Sequence, residues 1–234
     1  MTVYYLADHV HACIANGYVV FLDIQNDKYT ALGPEVSRYL HGLAGKRAIG
    51  AVDVEDGPSE LRAAIANLLE RGMLQAGVFN ALHTRLPSVV KPQRDLSEAD
   101  VEGGVQVSAG QVISFILAYC QAMIGVKILG NARLIKSISA KSARRSCQKG
   151  QKYSLSDLVQ SFRFIRIFFY KEIDRCYFDC IVHMYFLRKY GFDPVWVFGV
   201  KMEPFYAHCW VQVEETLVTN YLGEISMFRP IMAV

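Results

Sequence analysis

Residues 176–220 constrain the fold more than any other stretch: a cysteine opens an apolar helical pattern, two strand patterns follow, and a histidine stands in the second. Asp174 is placed to cap the helix, which puts Cys176 in its first turn. Free backbone N–H groups and the positive end of the helix dipole there favour thiolate over thiol. Tyr177, Cys180, Ile181, Met184 and Leu187 recur at helical spacing and predict one buried face. Gly191-Phe192-Asp193-Pro194 stops the helix. Residues 195–200 read as a strand, Glu203-Pro204 as a turn and 207–213 as a second strand. Alternation on that strand puts His208, Trp210 and Gln212 on one face and Ala207, Cys209, Val211 and Val213 on the other. An indole two residues from the histidine could shield an imidazole–thiolate pair from water. A last short strand ends at Thr219-Asn220. A thiol, an imidazole and a side chain to orient it are the parts of a cysteine acyl-transfer site. Singly, such residues are ordinary core residues; the helix start, the strand and the third polar group together argue for chemistry.

The runs Cys176-Tyr177-Phe178-Asp179-Cys180-Ile181, Phe198-Gly199-Val200 and Pro204-Phe205-Tyr206-Ala207-His208-Cys209-Trp210-Val211 resemble the leader peptidase of lasso peptide biosynthesis. That family has a papain/transglutaminase-like cysteine peptidase fold. Its usual pattern is Cys-Leu-x-x-Ser-Leu on the helix, an Ile- or Phe-Gly-Val strand, and Pro-Phe-x-(Ala or Ser)-His-Ala-Trp-Val. The resemblance implies that Cys176 is the nucleophile and His208 the base. The third family residue, an Asp, falls by spacing (220 − 208 = 12) on Asn220, a departure; papain-like sites orient their histidine with Asn. Cys180 in place of Ser and Cys209 in place of Ala leave open which thiol reacts, and Cys176 keeps the helix-start position.

The resemblance also implies a partner, an asparagine-synthetase-like cyclase that uses ATP to join the freed core amine to a side-chain carboxylate. Family peptidases are linked to ATP dependence, yet no nucleotide motif stands in this chain, so no cofactor of its own is expected. Two other readings stay open. One is an acyltransferase using the same triad; the other is a non-catalytic peptide-binding scaffold.

Taken from its start, the chain has 234 residues, 52% of them hydrophobic, which is ample for real cores. A net charge of +3 does not by itself argue for nucleic acid. The six cysteines lack CxxC spacing, so neither a zinc site nor a disulfide framework is expected. Met1-Thr2-Val3-Tyr4-Tyr5 lacks a basic stretch followed by an apolar run, so no signal peptide is expected, and the expected compartment is the cytoplasm.

Residues 1–82 read as a small α+β unit. Tyr18–Asp23 and Lys28–Leu32 form a hairpin about Gln25-Asn26-Asp27, one helix runs from Gly33-Pro34 to Leu43, and a second spans 59–71 to a stop at Gly72. The pattern resembles the winged-helix recognition element that binds leader peptides of ribosomally made natural products. That element takes the leader as an added strand beside its third strand, against its third helix. The resemblance places leader contacts on Lys28, Tyr29, Thr30, Ala31 and Leu32 and on Leu61, Ile65 and Leu68. His9, His11 and Cys13 alternate as metal ligands might, but they lack a fourth ligand and read as ordinary strand residues. Gly42-Leu43-Ala44-Gly45-Lys46-Arg47 lacks phosphate-loop spacing and reads as a helix end.

Residues 83–104, with two prolines and Glu102-Gly103-Gly104, read as a linker to a peptidase domain over 105–234. Residues 107–130 are strongly apolar, but Gln111, Gln121 and Lys127 interrupt them, so a buried helix is expected rather than a membrane span. The run 131–152 carries Arg133, Lys136, Lys141, Arg144, Arg145, Lys149 and Lys152 and no acid. It reads as a solvated face open to a polyanion, and its poor aromatic interleaving disfavours nucleic acid. Ser154 and Asp157 cap a helix whose Leu155, Leu158, Phe162, Ile165 and Phe169 form a stripe expected to pack beneath the Cys176 helix.

Overall fold

The computed structural model describes residues 3–46, 48–50, 54–77, 89–96, 106–142, 153–170 and 176–234. Its secondary structure is mixed α and β. The chain forms two compact units. One is Met1–Ser88 with Gly199–Ala207 and Phe228–Met232; the other is Val89–Phe198 with His208–Met227 and Ala233–Val234.

The first unit begins with β1 (Val3–Leu6), β2 (Val10–Ala15), β3 (Tyr18–Asp23) and β4 (Lys28–Leu32). The strands β2-β3-β4 form an antiparallel sheet. Asn16 and Gly17, both at positive φ, make the two-residue β2–β3 turn, whose backbone twist matches that of the strands. The β3–β4 turn is held by Asp23, whose Oδ1 accepts from the amides of Gln25 (3.0 Å) and Asn26 (3.1 Å). Helices α1 (Pro34–Ser37), α2 (His41–Lys46) and α3 (Ser59–Glu70), with strands β5 (Ala48–Gly50) and β6 (Leu74–Gly77), complete the unit. β1 lies between β5 and β6 in a second antiparallel sheet. Val19, Phe21, Leu40, Leu43, Leu61, Ile65, Leu68 and Met73 fill the core.

The single helix expected over 33–43 is two. The buried Ser37 hydroxyl accepts from Val19 N (2.8 Å) and donates to Leu32 O (2.7 Å), which ties the chain to β3 and β4 where the helix would have continued. Nor does the unit end with residue 82. Phe205 stacks obliquely on Tyr29, ring centroids 5.6 Å apart. His9 and Cys13 belong to the sheet region: His9 Nε2 lies 3.9 Å from Asp23 Oδ1, and burial pushes the Cys13 thiol up to about 12.

The chain continues with β7 (Arg94–Asp95), α4 (Ala109–Ser142), α5 (Leu155–Arg166), α6 (Cys176–Lys189), β8 (Val195–Lys201), β9 (Tyr206–Val213), β10 (Thr216–Leu217), α7 (Leu222–Ile225) and β11 (Arg229–Ala233), of which β7, α4, α5, α6, β10 and α7 lie wholly in the second unit. A five-stranded sheet runs in the order β11-β8-β9-β10-β7. Residues 89–96 thus correct the linker expectation. β7 pairs parallel to β10, Arg94 Nε donates to Thr216 Oγ1 (2.8 Å), and Gln212 Nε2 donates to Val90 O (2.8 Å).

The expectation of one buried face on α6 undershoots, since all of 179–188 is buried, including Asp179, His183 and Arg188. A helix buried all round sits at the centre of its unit. Phe162 of α5 packs on it, 5.4 Å from Phe186 and 3.5 Å from the His183 ring. Ser154 and Asp157 do form a reciprocal capping box, although Phe169, expected in the buried stripe, is 40% exposed.

The helix α4 corrects the expectation of burial. Phe115, Ala118 and Ala122 are buried, while Ile113, Ile116, Leu117, Ile124 and Ile128 are exposed. By length and composition it could cross a membrane. Gly130 (φ 68°, ψ 164°) kinks it, and Leu134 beyond the kink packs over Gly125. Of the basic run, Arg133 and Lys136 are exposed on α4, and 143–152 lie outside the described residues.

Candidate active site

Cys176 is the first residue of α6, and its expected cap, Asp174, lies outside the described residues. His208 is the third residue of β9, and its imidazole hydrogen-bonds with the Cys176 thiol. His208 Nε2 also lies 2.9 Å from Asn220 Nδ2. The three residues picked from sequence therefore meet in one chain of contacts within the second unit. Asn220 is not a strand end, however, because β10 stops at Leu217 and a bend carries the chain to α7.

That bend is pinned from several sides. Val218 N donates to Val211 O (2.9 Å), and Arg163 Nη2 of α5 donates to Val218 O (3.3 Å). Thr219 Oγ1 accepts from Val211 N (3.0 Å) and donates to Asn220 Oδ1 (2.8 Å). Leu222 N donates to Asp95 Oδ2 (2.7 Å), so the segment expected as linker braces the loop that carries Asn220. Glu224 stands four residues beyond Asn220, a spacing that the sequence itself shows and that makes it, with Gln212, the alternative orienting group for the histidine. It accepts from Asn220 Nδ2 at 3.0 Å, and its Oε1 lies 3.9 Å from His208 Nε2.

Three thiols gather at the site. Cys209 contacts Cys176 and lies 3.8 Å, sulfur to sulfur, from buried Cys180, which also donates to Cys209 O (3.6 Å). Cys176 is the exposed member. The expectation of a favoured thiolate is reversed at rest. The hydrogen bond with Cys209, aided by burial, pushes the Cys176 thiol up to about 12 against the pull of His208. Burial raises Cys180 too, and Cys209, which Cys176 pulls down, is pushed well up by Cys180 and burial. His208 is raised, first by its bond with Cys176 and then by the charge of Glu224, with burial opposing. The resting pair is a thiol beside a base with raised proton affinity, which can transfer a proton as the sulfur attacks.

Trp210 Nε1 donates to Gln212 Oε1 (3.1 Å), and Gln212 Nε2 to Val90 O and Glu214 O (2.8 and 3.0 Å), so this pair braces the strand. Beneath the site, Asp179 takes the Tyr170 hydroxyl (2.8 Å) and Arg166 Nη1 (3.3 Å), and its Oδ2 lies 3.2 Å from His183 Nδ1. The buried network fixes the first turn of α6.

In the first unit, β4 is an outer strand of its sheet, and Lys28, Tyr29, Thr30, Ala31 and Leu32 are exposed or half-buried. Arg71, just past α3, donates to Thr30 Oγ1 (2.9 Å). Leu61, Ile65 and Leu68 are corrected: at 0–2% exposure they pin α3 to the core and offer no surface to a ligand. Apolar residues at helical spacing look the same whether a groove or a core claims them. No metal-binding group of three or more His, Cys, Asp or Glu occurs among the described residues. Residues 116–233 match the family described as the transglutaminase-like superfamily. No curated protein and no solved structure matches the chain.

Proposed function

The chain belongs to the transglutaminase-like superfamily, and from that premise we propose that it is a thiol peptidase that removes the leader of a lasso precursor peptide. The superfamily supports cysteine-peptidase or acyl-transfer chemistry. The observation that carries the reading is His208 in contact with both Cys176 and Asn220. Cys176 attacks the carbonyl of the last leader residue while His208 takes the thiol proton, and backbone N–H groups at the start of α6 receive the oxyanion. His208 then gives its proton to the leaving amine of the core peptide. Water, deprotonated by the same imidazole, hydrolyses the thioester and releases the leader as a carboxylate.

In this reading the first unit is a winged-helix recognition element. The leader adds as a strand to the outer edge of β4, which agrees with the half-exposed residues Lys28–Leu32. The core peptide passes to an asparagine-synthetase-like cyclase. The reaction belongs in the cytoplasm, where reducing conditions keep the site thiols free.

The test is incubation of the full chain with a precursor peptide, followed by mass spectrometry. The expected products are a leader with a free carboxylate and a core with a free amine. A leader joined to an amine would make the site a transferase, and uncut but tightly bound precursor would make the chain a scaffold. Cleavage surviving in Cys176→Ala would sink the proposed mechanism.

A further inference from the structure

A base that takes up the thiol proton becomes an imidazolium and needs a negative charge beside it. Asn220 has none, and its partners also fix how its amide faces. Oδ1 takes the Thr219 hydroxyl and Nδ2 donates to Glu224, so nitrogen rather than oxygen is presented to His208 Nε2. An amide nitrogen accepts no proton. Turned over, the amide would set its oxygen against the Glu224 carboxylate. Among the described residues, Cys176 from α6, Asn220 from the bend and Glu224 from α7 face His208, and of these three Glu224 carries the carboxylate. Its Oε1 stands 3.9 Å from Nε2, one small side-chain adjustment from a hydrogen bond.

We propose that Glu224 is the positioning residue of this site: its carboxylate balances the imidazolium of His208, the part a triad aspartate plays elsewhere. The catalytic consequence rests on the peptidase reading above, but the electrostatic one does not. The side chain is 46% exposed, so Glu224→Gln removes a charge without opening the core.

The test uses the full chain and two readouts that need no substrate. One is the NMR titration of the His208 imidazole; the other is the pH dependence of Cys176 alkylation by iodoacetamide, followed peptide by peptide. Glu224→Gln should lower the His208 midpoint and slow Cys176 alkylation severalfold at neutral pH. In N220D/E224Q, with a carboxylate now next to the ring, both should return toward wild type. With a cleavable precursor, kcat should follow the alkylation rate while KM stays put. An unchanged midpoint in Glu224→Gln, or no recovery in the double variant, overturns the proposal. A wild-type chain that cuts no precursor but shows both effects would refute the peptidase reading and leave this inference standing.

Discussion

Asp179 lies on α6 three residues after Cys176 and is 2% exposed. Burial alone would raise its pKa. Instead His183, Arg166 and the Tyr170 hydroxyl together hold it below the usual carboxylate range. Asp179→Ala therefore removes the acceptor of a buried hydroxyl and the counter-charge of Arg166 in one step. Breaking a buried ion pair from one side costs about 3–5 kcal/mol. At ~2–4 °C per kcal/mol for a chain of this size, the melting temperature should fall by ~6–20 °C. Asp179→Asn keeps an acceptor but loses the charge, and should cost less. Both tryptophans, Trp196 and Trp210, lie buried in the second unit, so intrinsic fluorescence during urea unfolding follows that unit. Because the folded-state pKa is depressed, the stabilisation is present above the unfolded value of about 3.9 and is lost as pH falls through the folded value. The gap between wild type and Asp179→Ala should accordingly be full at pH 7 and close in acid. A variant within about 1 kcal/mol of wild type at pH 7, or a gap indifferent to pH, would refute the claim that this network holds the helix start.

Cys176→Ala and His208→Ala should each abolish precursor cleavage and leave leader affinity unchanged, whereas Cys180→Ser should stay active; an active Cys176→Ala with a dead Cys180→Ser would invert the assignment. Strand N–H groups alternate between partner and open edge. Of Tyr29→Pro and Thr30→Pro, one should break the β3–β4 ladder and lower the melting temperature. The other should keep the fold yet lose a fluorescent leader, and wild-type leader affinity in both would remove β4 as the docking edge. Gly130→Ala should cost about 1–3 kcal/mol by urea melt, since φ 68° with ψ 164° is glycine territory although a Cβ would meet nothing within 4 Å. A neutral effect would mean that the kink relaxes.

What could be read without coordinates was whatever depends on neighbours in sequence. The capping box at Ser154 and Asp157, the β3–β4 hairpin, α6 with the two strands after it, and the twelve-residue step from His208 to Asn220 are all local or evenly spaced signals. The transglutaminase-like superfamily was legible for the same reason, since the runs that point to it lie on or beside α6, β8 and β9. Tertiary structure alone decided which residues meet across elements. Periodicity marks Leu61, Ile65 and Leu68 as one face but is silent on whether core or ligand covers it. A hydroxyl at 37 ended a helix because β3 and β4 pass beside it. Asp95, inside an apparent linker, came to brace Leu222, which is 127 residues away. The proton affinity of the Cys176 thiol follows the same rule. A helix start predicts a thiolate, but the Cys209 thiol folded against Cys176 holds its proton on. Ionisation follows the sum of all neighbours in space, and most of those neighbours are distant in the chain.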